Sequence, residues 1–354
     1  MEYVSPLPGR FRPPLLERRA LLESARGSIP AVNLKRLVNE VDSALQRLED
    51  GTFGVCETCH ETIEAERLEC NPLVRRCLEH ESESEMQAHR LDLDLAHEIQ
   101  MQLLPPRSFK ARNWDTHFRY EPKSVAGGDY CELIVYGGEG LFFAVGDVAG
   151  KGVRASLRMT HLSAILRGLL SQGLPLGEVV SRANRMFCEG AAPPHYATLA
   201  CCRTTAFGME ICNAGHCSPV LLRPNATERI ESAGLPLGLL PNADYSVQTV
   251  HLHDAESLVL YSDGITEAKN PAGQVYGEER LTRSLRRHVE REVGAMAEGV
   301  LRDHSRFRNS HPVSDDMTLL IVRRRGEAAG LGSFYEQAAS VSDASPIPGQ
   351  ERQN

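Results

Sequence analysis

The chain has 354 residues, 42% of them hydrophobic, and a formal net charge of -8. That length suggests two domains, or one large domain with an appendage, and the hydrophobic fraction is enough for a sizeable core. The acidic balance argues against nucleic acid as the main partner, because nucleic-acid binding depends on a basic face. No apolar run approaches the length that crosses a bilayer, and the first residues lack a signal-peptide core. We therefore expect a cytoplasmic protein without a membrane partner.

The N-terminal third predicts helices on either side of a cysteine-rich segment. Residues 1–32 contain Pro and Arg without sustained periodicity, and we expect them to be flexible. Apolar residues recur at helical spacing over 33–49. A second apolar stripe, ended by a Pro-Pro pair, predicts an amphipathic linker helix within 83–106. This seam must be covered, either by its own domain or by a second chain in a short parallel coiled coil. The stripe consists of Ala88, Leu91, Leu95, Ile99 and Leu103.

From about residue 107 the pattern changes to short apolar runs mixed with helical stretches. Several strand-like runs follow one another without a helix between them, which favours antiparallel pairing and an α+β layered domain over 107–325. The strand-like runs lie near 116–122, 131–137, 141–148, 196–206, 218–224, 256–264 and 317–325, and the helical stretches near 152–171, 175–189, 277–289 and 293–308. Residues 326–354 have little to bury, and we expect a disordered tail.

Four of the ten cysteines crowd into one short stretch. Cys56 and Cys59 form a C-x-x-C pair, and after seventeen intervening residues Cys77 and His80 form a C-x-x-H pair. Two such pairs are able to place four N and S ligands tetrahedrally around zinc, in a domain too small to fold on its core alone. The sequence therefore predicts one structural zinc ion at these four residues, within a zinc finger over 33–82.

The fourth ligand has an alternative. A His after a cysteine pair is often simply exposed, and Cys70 is the other candidate, although its spacing is poorer. The stretches LQRLEDGTFGVCETC and IEAERLECNPLVRRC, within about 35–80, resemble the DksA/TraR-type zinc finger. In that family the fourth ligand is commonly Cys. Some members enter the RNA polymerase channel with a long coiled-coil hairpin, for which we expect no room in this N-terminus. A DksA-like transcription regulator is therefore an alternative function.

Aspartates recur at the ends of the strand-like runs. Asp129 precedes one run, Asp147 and Asp263 end two others, and Asp315 and Asp316 open the last. Each alone is most simply a turn residue that hydrogen-bonds its own backbone. Together they are able to form an all-oxygen site, which selects magnesium or manganese over zinc. The glycine-rich stretch around Asp147 is not a P-loop. Gly146 and Gly150 are separated by three residues instead of four, and Lys151 is followed by Gly152 where a P-loop has the metal-binding Ser or Thr.

Six motifs follow in order through this region: GGDYCE, GDVAGKG, NAGH, GLPLG, YSDGITEA and DDMTLLIV. They resemble the protein phosphatase 2C-like (PPM) superfamily, in its bacterial branch of stage II sporulation protein E and RsbU-type serine phosphatases. The resemblance covers about 107–325 and implies an αββα sandwich with two Mg or Mn ions between its sheets. It implies a metal-dependent protein serine/threonine phosphatase in bacterial signalling. The implied substrate is a phosphorylated regulatory protein, an anti-sigma-factor antagonist.

The resemblance also implies a role for each metal-site residue. Asp147 would bridge both ions, and the carbonyl of Val148 would bind the second. Asp129 would serve the second ion, often through water. Asp263 and Asp315 would hold the first, with Asp316 as the alternative to Asp315. Asp147 and Asp263 are therefore the expected catalytic residues.

Two further residues and one competing function complete the sequence-based expectations. Glu132 stands where the family often has aspartate, and its longer side chain disfavours an accessory-metal role. His216 in NAGH is either a general acid or a residue that stabilises its turn. The competing function is a catalytically silent scaffold. It is disfavoured because a scaffold has no need of clustered carboxylates whose repulsion must be offset.

Overall fold

The computed structural model describes residues 7–24, 30–80, 83–111, 113–123, 127–136, 140–150, 152–189, 196–206, 208–231 and 234–326. The chain divides into two compact units. One is drawn from 1–104, 122–128 and 148–162, and the other from 105–121, 129–147 and 163–354. Apart from Gly326, the predicted tail over 326–354 lies outside the described residues.

The first unit is built on helices around the cysteine-rich segment. Its core contains Val41 and Ala44 from one helix together with Ile63 and Leu68 from the cysteine-rich segment. The apolar spacing that predicted a helix over 33–49 thus marks the face that is buried. The described helices are α1 (Leu7–Ser24), α2 (Ala31–Glu49), α3 (Ala65–Cys70) and α4 (Glu83–Leu103), with a 3-10 turn at Leu78–His80.

Helix α1 shows that the expectation of a flexible N-terminus over 1–32 is wrong for Leu7–Ser24. The pattern did not predict this helix because two prolines lie inside it and its apolar residues do not form a clean stripe. Phe11 and Leu15 are nevertheless buried in the same cluster as the core of α2. The Phe11 ring lies 5.2 Å from the ring of Phe53. Burial against α2 therefore outweighs the weak local propensity of this segment.

The second unit contains the two sheets. The six-stranded sheet has the order β1-β2-β11-β10-β7-β8 and the five-stranded sheet β3-β4-β5-β6-β9. Neighbouring strands pair antiparallel, as predicted. The strands are β1 (Ser108–Ala111), β2 (Trp114–Glu121), β3 (Asp129–Tyr136), β4 (Gly140–Val148), β5 (Ala197–Thr204), β6 (Gly208–Ala214), β7 (Val220–Leu222), β8 (Thr227–Arg229), β9 (Gln248–His251), β10 (Ser257–Tyr261) and β11 (Met317–Arg324). The remaining helices are α5 (Gly152–Leu170), whose residues 152–162 belong to the first unit, and α6 (Leu176–Glu189), α7 (Asp263–Thr266), α8 (Gly277–Arg287) and α9 (Val293–Arg308).

Helices cover the outer faces of the sheets. Helices α8 and α9 pack on the six-stranded sheet, and α6 packs on β6 of the other. Strand β10 is buried at all of its positions, which explains why it reads as a continuous apolar run in the sequence. The predicted αββα architecture is confirmed. The structure adds β1, β6, β8, β9 and α7 to the predicted elements. Among the described helices, none has the length and apolar character that crossing a membrane requires.

Candidate metal centres

The first centre lies in the cysteine-rich segment. The ligand atoms of Cys56, Cys59, Cys77 and His80 all lie within 4.8 Å of one another. The sulfurs of Cys59 and Cys77 are 3.8 Å apart, and Nδ1 of His80 is 3.2 Å from the Cys77 sulfur. Two sulfurs held tetrahedrally by one zinc ion are separated by about 3.8 Å, given a Zn–S bond of about 2.3 Å. The four predicted side chains thus converge as a zinc site requires, whereas the side chain of Cys70 lies outside the described residues.

Backbone geometry presents the first pair of ligands. Gly51 follows helix α2 with a φ of 71°, the left-handed conformation that ends many helices. A short hairpin then pairs Val55 with Thr62, and the N–H of Cys56 donates to the carbonyl of Glu61 at 2.8 Å. The N–H of Thr58 donates to the Cys56 sulfur at 3.5 Å. The turn therefore places its N–H groups toward the sulfur, which favours the thiolate that binds metal.

The second pair is fixed to α2 and to the first hairpin. The buried guanidinium of Arg47 donates to the carbonyls of Leu73 and Val74, at 3.3 and 3.1 Å. The N–H of Glu57 donates to the carbonyl of Arg75 at 3.0 Å. These bonds hold the chain that leads into Cys77 against the chain that follows Cys56.

The cysteines differ in their acidity. Burial raises the pKa of Cys56, but hydrogen bonds from the backbone of Cys59, Cys77 and Thr58 outweigh it, and the result is about 6. Burial raises the pKa of Cys77 to about 11, and the neighbouring Cys56 and Cys59 contribute in the same direction. Sulfurs crowded together in this way repel one another as thiolates, and a cation of the charge of zinc offsets that repulsion.

The second centre begins with two aspartates on neighbouring strands. Asp129, at the start of β3, lies directly opposite Asp147 near the end of β4. Asp129 is buried, and its Oδ2 accepts a hydrogen bond of 2.5 Å from the hydroxyl of Thr318 on β11. The N–H of Asp147 donates to the hydroxyl of Thr198 at 3.2 Å. Register in one sheet and a hydroxyl from the other thus position the two carboxyl groups.

The remaining predicted aspartates lie where β10 leads into α7 and where β11 begins. Asp263 is the first residue of α7, half-buried, and it is separated from β10 by the fully buried Ser262. A Cβ on Gly264 would come within 1.9 Å of the carbonyl oxygen of Asp316. Only glycine allows these two segments to approach so closely. Asp315 is exposed and Asp316 is buried.

The carboxyl groups influence one another electrostatically. Burial raises the pKa of Asp129 well above its usual range, and although Thr318 lowers it, Asp147 and Asp316 raise it further. Burial also raises the pKa of Asp263, to which Asp315 contributes. The aspartates thus fall into two neighbouring groups. Within the described ranges, however, no three carboxyl groups each bring an oxygen within 4.8 Å of the others, in contrast to the cysteine cluster.

Two other predicted residues are placed clearly by their hydrogen bonds. His216 is buried, its Nδ1 lies 2.9 Å from the hydroxyl of Thr198, and its N–H donates to Asn213 at 2.8 Å. Burial lowers the pKa of His216 to about 4, so the ring is neutral at pH 7. This geometry favours the turn-stabilising interpretation of the NAGH motif. Val148, predicted to offer its carbonyl, ends β4, and its N–H donates to the carbonyl of Gly128 at 3.1 Å.

Glu132 has a function that the sequence did not reveal. It is 1% exposed and accepts hydrogen bonds from the hydroxyls of Tyr130 and Ser163, at 3.1 and 3.0 Å. The guanidinium of Arg167 on α5 adds two more, at 3.0 and 2.6 Å. Its buried carboxylate therefore joins β3 to α5 in an ion pair and accepts four hydrogen bonds from protein donors. No sequence signal identifies such a pair, because the partners lie 35 residues apart.

The model of the stage II sporulation protein E (SpoIIE) family matches residues 137–325, more than half of the chain. The chain belongs to the SpoIIE family. A second model, the prokaryotic DksA/TraR C4-type zinc finger, matches residues 51–79. Both resemblances seen in the sequence are thus confirmed. His80 lies one residue beyond the zinc-finger match.

Two known relatives match more than half of this chain. Protein IcfG of Synechocystis sp. is 25% identical over 228 residues, which cover 56% of this chain and 36% of that protein. Phosphoserine phosphatase RsbU of Bacillus subtilis is 24% identical over 239 residues, 66% of this chain and 70% of RsbU. The chain thus spans about a third of IcfG.

Among solved structures, the SiaA-PP2C domain of Pseudomonas aeruginosa superposes with a TM-score of 0.60 at 19% identity. The superposition covers 69% of this chain and 99% of the SiaA-PP2C domain. At this level of identity the likeness shows that the SpoIIE-family domain has the PP2C-like fold.

Proposed function

We propose that the SpoIIE-family domain is a metal-dependent protein serine/threonine phosphatase. The observation that carries this proposal is the pairing of Asp129 and Asp147, a buried carboxyl group directly opposite a second one at the end of the same sheet. Burying carboxyl groups side by side costs free energy, and a protein that keeps them gains from a bound cation. The name of the relative RsbU, a phosphoserine phosphatase, supports the same reaction.

The carboxylates and one carbonyl fit hard cations, since oxygen ligands select Mg or Mn over softer metals. Asp147 would bridge two ions, Asp129 and the Val148 carbonyl would serve one, and Asp263 and Asp315 the other. When bound, such a pair of ions lowers the pKa of a shared water and neutralises charge on the phosphoryl oxygens.

The chain's own residues orient these ligands. The hydroxyl of Thr318 fixes Oδ2 of Asp129. The hydroxyl of Thr198 holds the backbone of Asp147, and His216 holds Thr198 in turn. Because His216 is neutral and buried, its contribution is to position this backbone rather than to supply a proton to the leaving group.

The substrate that we propose is a phosphorylated regulatory protein, an anti-sigma-factor antagonist in a bacterial signalling pathway. The likeness to RsbU and the SpoIIE family supports this class of substrate. In the proposed reaction neither Cys nor Ser is the nucleophile. Water accepts the phosphoryl group, and no covalent phosphoryl-enzyme forms.

One assay tests the reaction directly. Hydrolysis of a phosphoserine peptide is measured with and without manganese, for the wild-type protein and for Asp147→Asn and Asp147→Ala. We expect turnover that depends on manganese and that both variants lose, while circular dichroism shows that they keep their fold. Near-wild-type activity of either variant would mean that the two-metal assignment is wrong.

We further propose that Cys56, Cys59, Cys77 and His80 hold one structural zinc ion. The convergence of their ligand atoms within 4.8 Å supports this assignment. Retention of zinc by His80→Ala, together with its loss from Cys77→Ala, would instead point to Cys70 as the fourth ligand.

We also propose that α4 pairs two chains into a dimer. Leu91, Leu95 and Ile99 lie on its seam and are 62%, 56% and 46% exposed, so the seam is not covered within the described chain. On the same helix, Gln100 is fully buried, and its side-chain amide exchanges two hydrogen bonds with the backbone of Gly127, at 3.0 and 3.1 Å. A change in the pairing of α4 would thus reach the segment that leads into Asp129.

A further inference from the structure

A groove with several arginines runs along helix α8 in the SpoIIE-family domain. Its volume is about 570 Å³. One wall is α8 itself, and Arg229 at the end of β8 provides the other side. The lining residues are Arg229, Glu278, Glu279, Thr282, Arg283 and Arg286.

Most arginines around this groove are already engaged. Arg229 forms an ion pair with Glu278. Arg280 donates to two backbone carbonyls and lies over the ring of Phe307, and Arg287 pairs with Asp303 at 2.8 Å. These three guanidinium groups are therefore engaged in contacts within the protein.

Two arginines differ from the rest. Arg283 and Arg286 are exposed, and in the described part of the chain neither has an ion-pair partner. They are three residues apart on α8, so they lie on one face of the helix. The lining holds three arginines against Glu278 and Glu279, so its net charge is +1 in a chain whose net charge is -8.

One wall of the groove is bonded to the strand that leads into Asp263. The hydroxyl of Tyr261, two residues before Asp263, donates to Glu278 at 3.5 Å. Arg229 is the register partner of Val220, which follows Cys217 by three residues. Burial raises the pKa of Cys217 to about 12, and the carboxylates of Asp263 and Glu278 contribute to that rise. Asp263 and Glu278, which lines the groove, thus both act electrostatically on Cys217.

We propose that this groove docks an acidic segment of the phosphoprotein substrate, on one side of its phosphorylated residue. The inference rests on the proposed phosphatase function and specifies which substrates the site selects. Arg283 and Arg286 would pair with carboxylates of the substrate while its phosphoryl group lies at the aspartates. Charged groups at the edge of an interface select partners and accelerate association, and salt weakens their effect.

The test compares two phosphoserine peptides that differ only in their flanks, Asp and Glu in one and Gln in the other. In Arg283→Glu/Arg286→Glu we expect the ratio of kcat/KM for the acidic peptide to that for the neutral peptide to fall about tenfold, mainly through KM. Arg185→Glu/Arg302→Glu is the matched control, because it makes the same charge change at two exposed arginines outside the groove. It should keep the wild-type ratio.

Binding is measured separately, by fluorescence anisotropy of the labelled acidic peptide on full-length protein carrying Asp147→Asn. We expect the two added Arg-to-Glu changes in the groove to raise Kd about tenfold, and the control pair to leave it unchanged. Equal Kd values in the groove and control variants would overturn the docking site, whether or not the peptides are hydrolysed. Absence of any turnover by the wild-type protein with manganese would instead refute the phosphatase function, which the anisotropy measurement does not require.

Discussion

Replacing Arg167 with Met tests the ion pair that joins β3 to α5. Glu132 would keep the hydroxyls of Tyr130 and Ser163 but lose both guanidinium bonds, at 3.0 and 2.6 Å. Breaking a buried pair by removing one partner costs about 3–5 kcal/mol, whereas an exposed pair contributes about 0–1 kcal/mol. Glu132 is 1% exposed, but the side chain of Arg167 is 50% exposed and therefore partly screened by water. We expect a loss of about 2 kcal/mol in the free energy of unfolding.

The fluorescence of Trp114 provides the assay. It is the only tryptophan of the chain, and it is buried in β2, so urea unfolding of the full-length protein followed by its emission reports the unit that contains Glu132. A loss of about 2 kcal/mol corresponds to a decrease in Tm of about 4–8 °C for a domain of this size. The matched control is Arg185→Met, which removes an exposed arginine from α6.

A double-mutant cycle separates the pair from general effects of the substitution. Glu132→Gln keeps hydrogen-bonding groups but removes the buried charge, so Arg167→Met should cost less in its presence. If Arg167→Met is as stable as Arg185→Met, the ion pair does not stabilise the domain and the reasoning is refuted.

Three other predictions concern the two centres and the linker. Gly264→Ala should abolish phosphatase activity and lower Tm, because its Cβ would lie 1.9 Å from the Asp316 carbonyl; a fully active variant would contradict this. Metal analysis should find about one zinc per chain in reduced wild-type protein and none in Cys77→Ala, and zinc-free wild-type protein would exclude the site. Leu95→Glu/Ile99→Glu should convert a dimer into monomers in light scattering, because it places like charges in the seam. A monomeric wild-type protein, or a variant as dimeric as wild type, would contradict the dimer.

The sequence predicted the elements whose burial gives a clear periodicity. Strands such as β10 and β11 are nearly continuous apolar runs because both of their faces are covered, and α2 has one apolar stripe because only one of its faces is buried. Short edge strands were missed. In β9 three of four positions are exposed, so no alternation of polar and apolar residues distinguishes it from a loop. Helix α1 was missed because contacts distant in sequence stabilise it.

The convergence of Cys56, Cys59, Cys77 and His80 was predictable because these proposed zinc ligands come in two local pairs with fixed spacing. The aspartates were identified one by one, but their arrangement depends on strand register. The pairing of Asp129 with Asp147 is a property of the β3–β4 hairpin, and the bond from Thr318 joins residues 189 positions apart. Neither contact can be recognised in the local sequence pattern. The same reason applies to Glu132: the helix that carries Arg167 was predicted, but its contact with a residue 35 positions earlier was not.

The place of β11 in its sheet has a consequence for how this domain folds during synthesis. β11 is the last strand in the described chain, yet it lies in the interior of the sheet, between β2 and β10. During synthesis, β2 and β10 therefore emerge from the ribosome without the strand that separates them, and their unpaired edges have no partner until residues 317–324 appear. Closing the sheet then joins segments almost two hundred residues apart, as in the pairing of Met317 with Glu121, and such distant contacts form slowly. The core around the cysteine-rich segment, by contrast, consists of residues between Phe11 and Cys77, which are made early. The nascent chain therefore passes through a stage in which this core is folded while the sheet is still open and prone to aggregation.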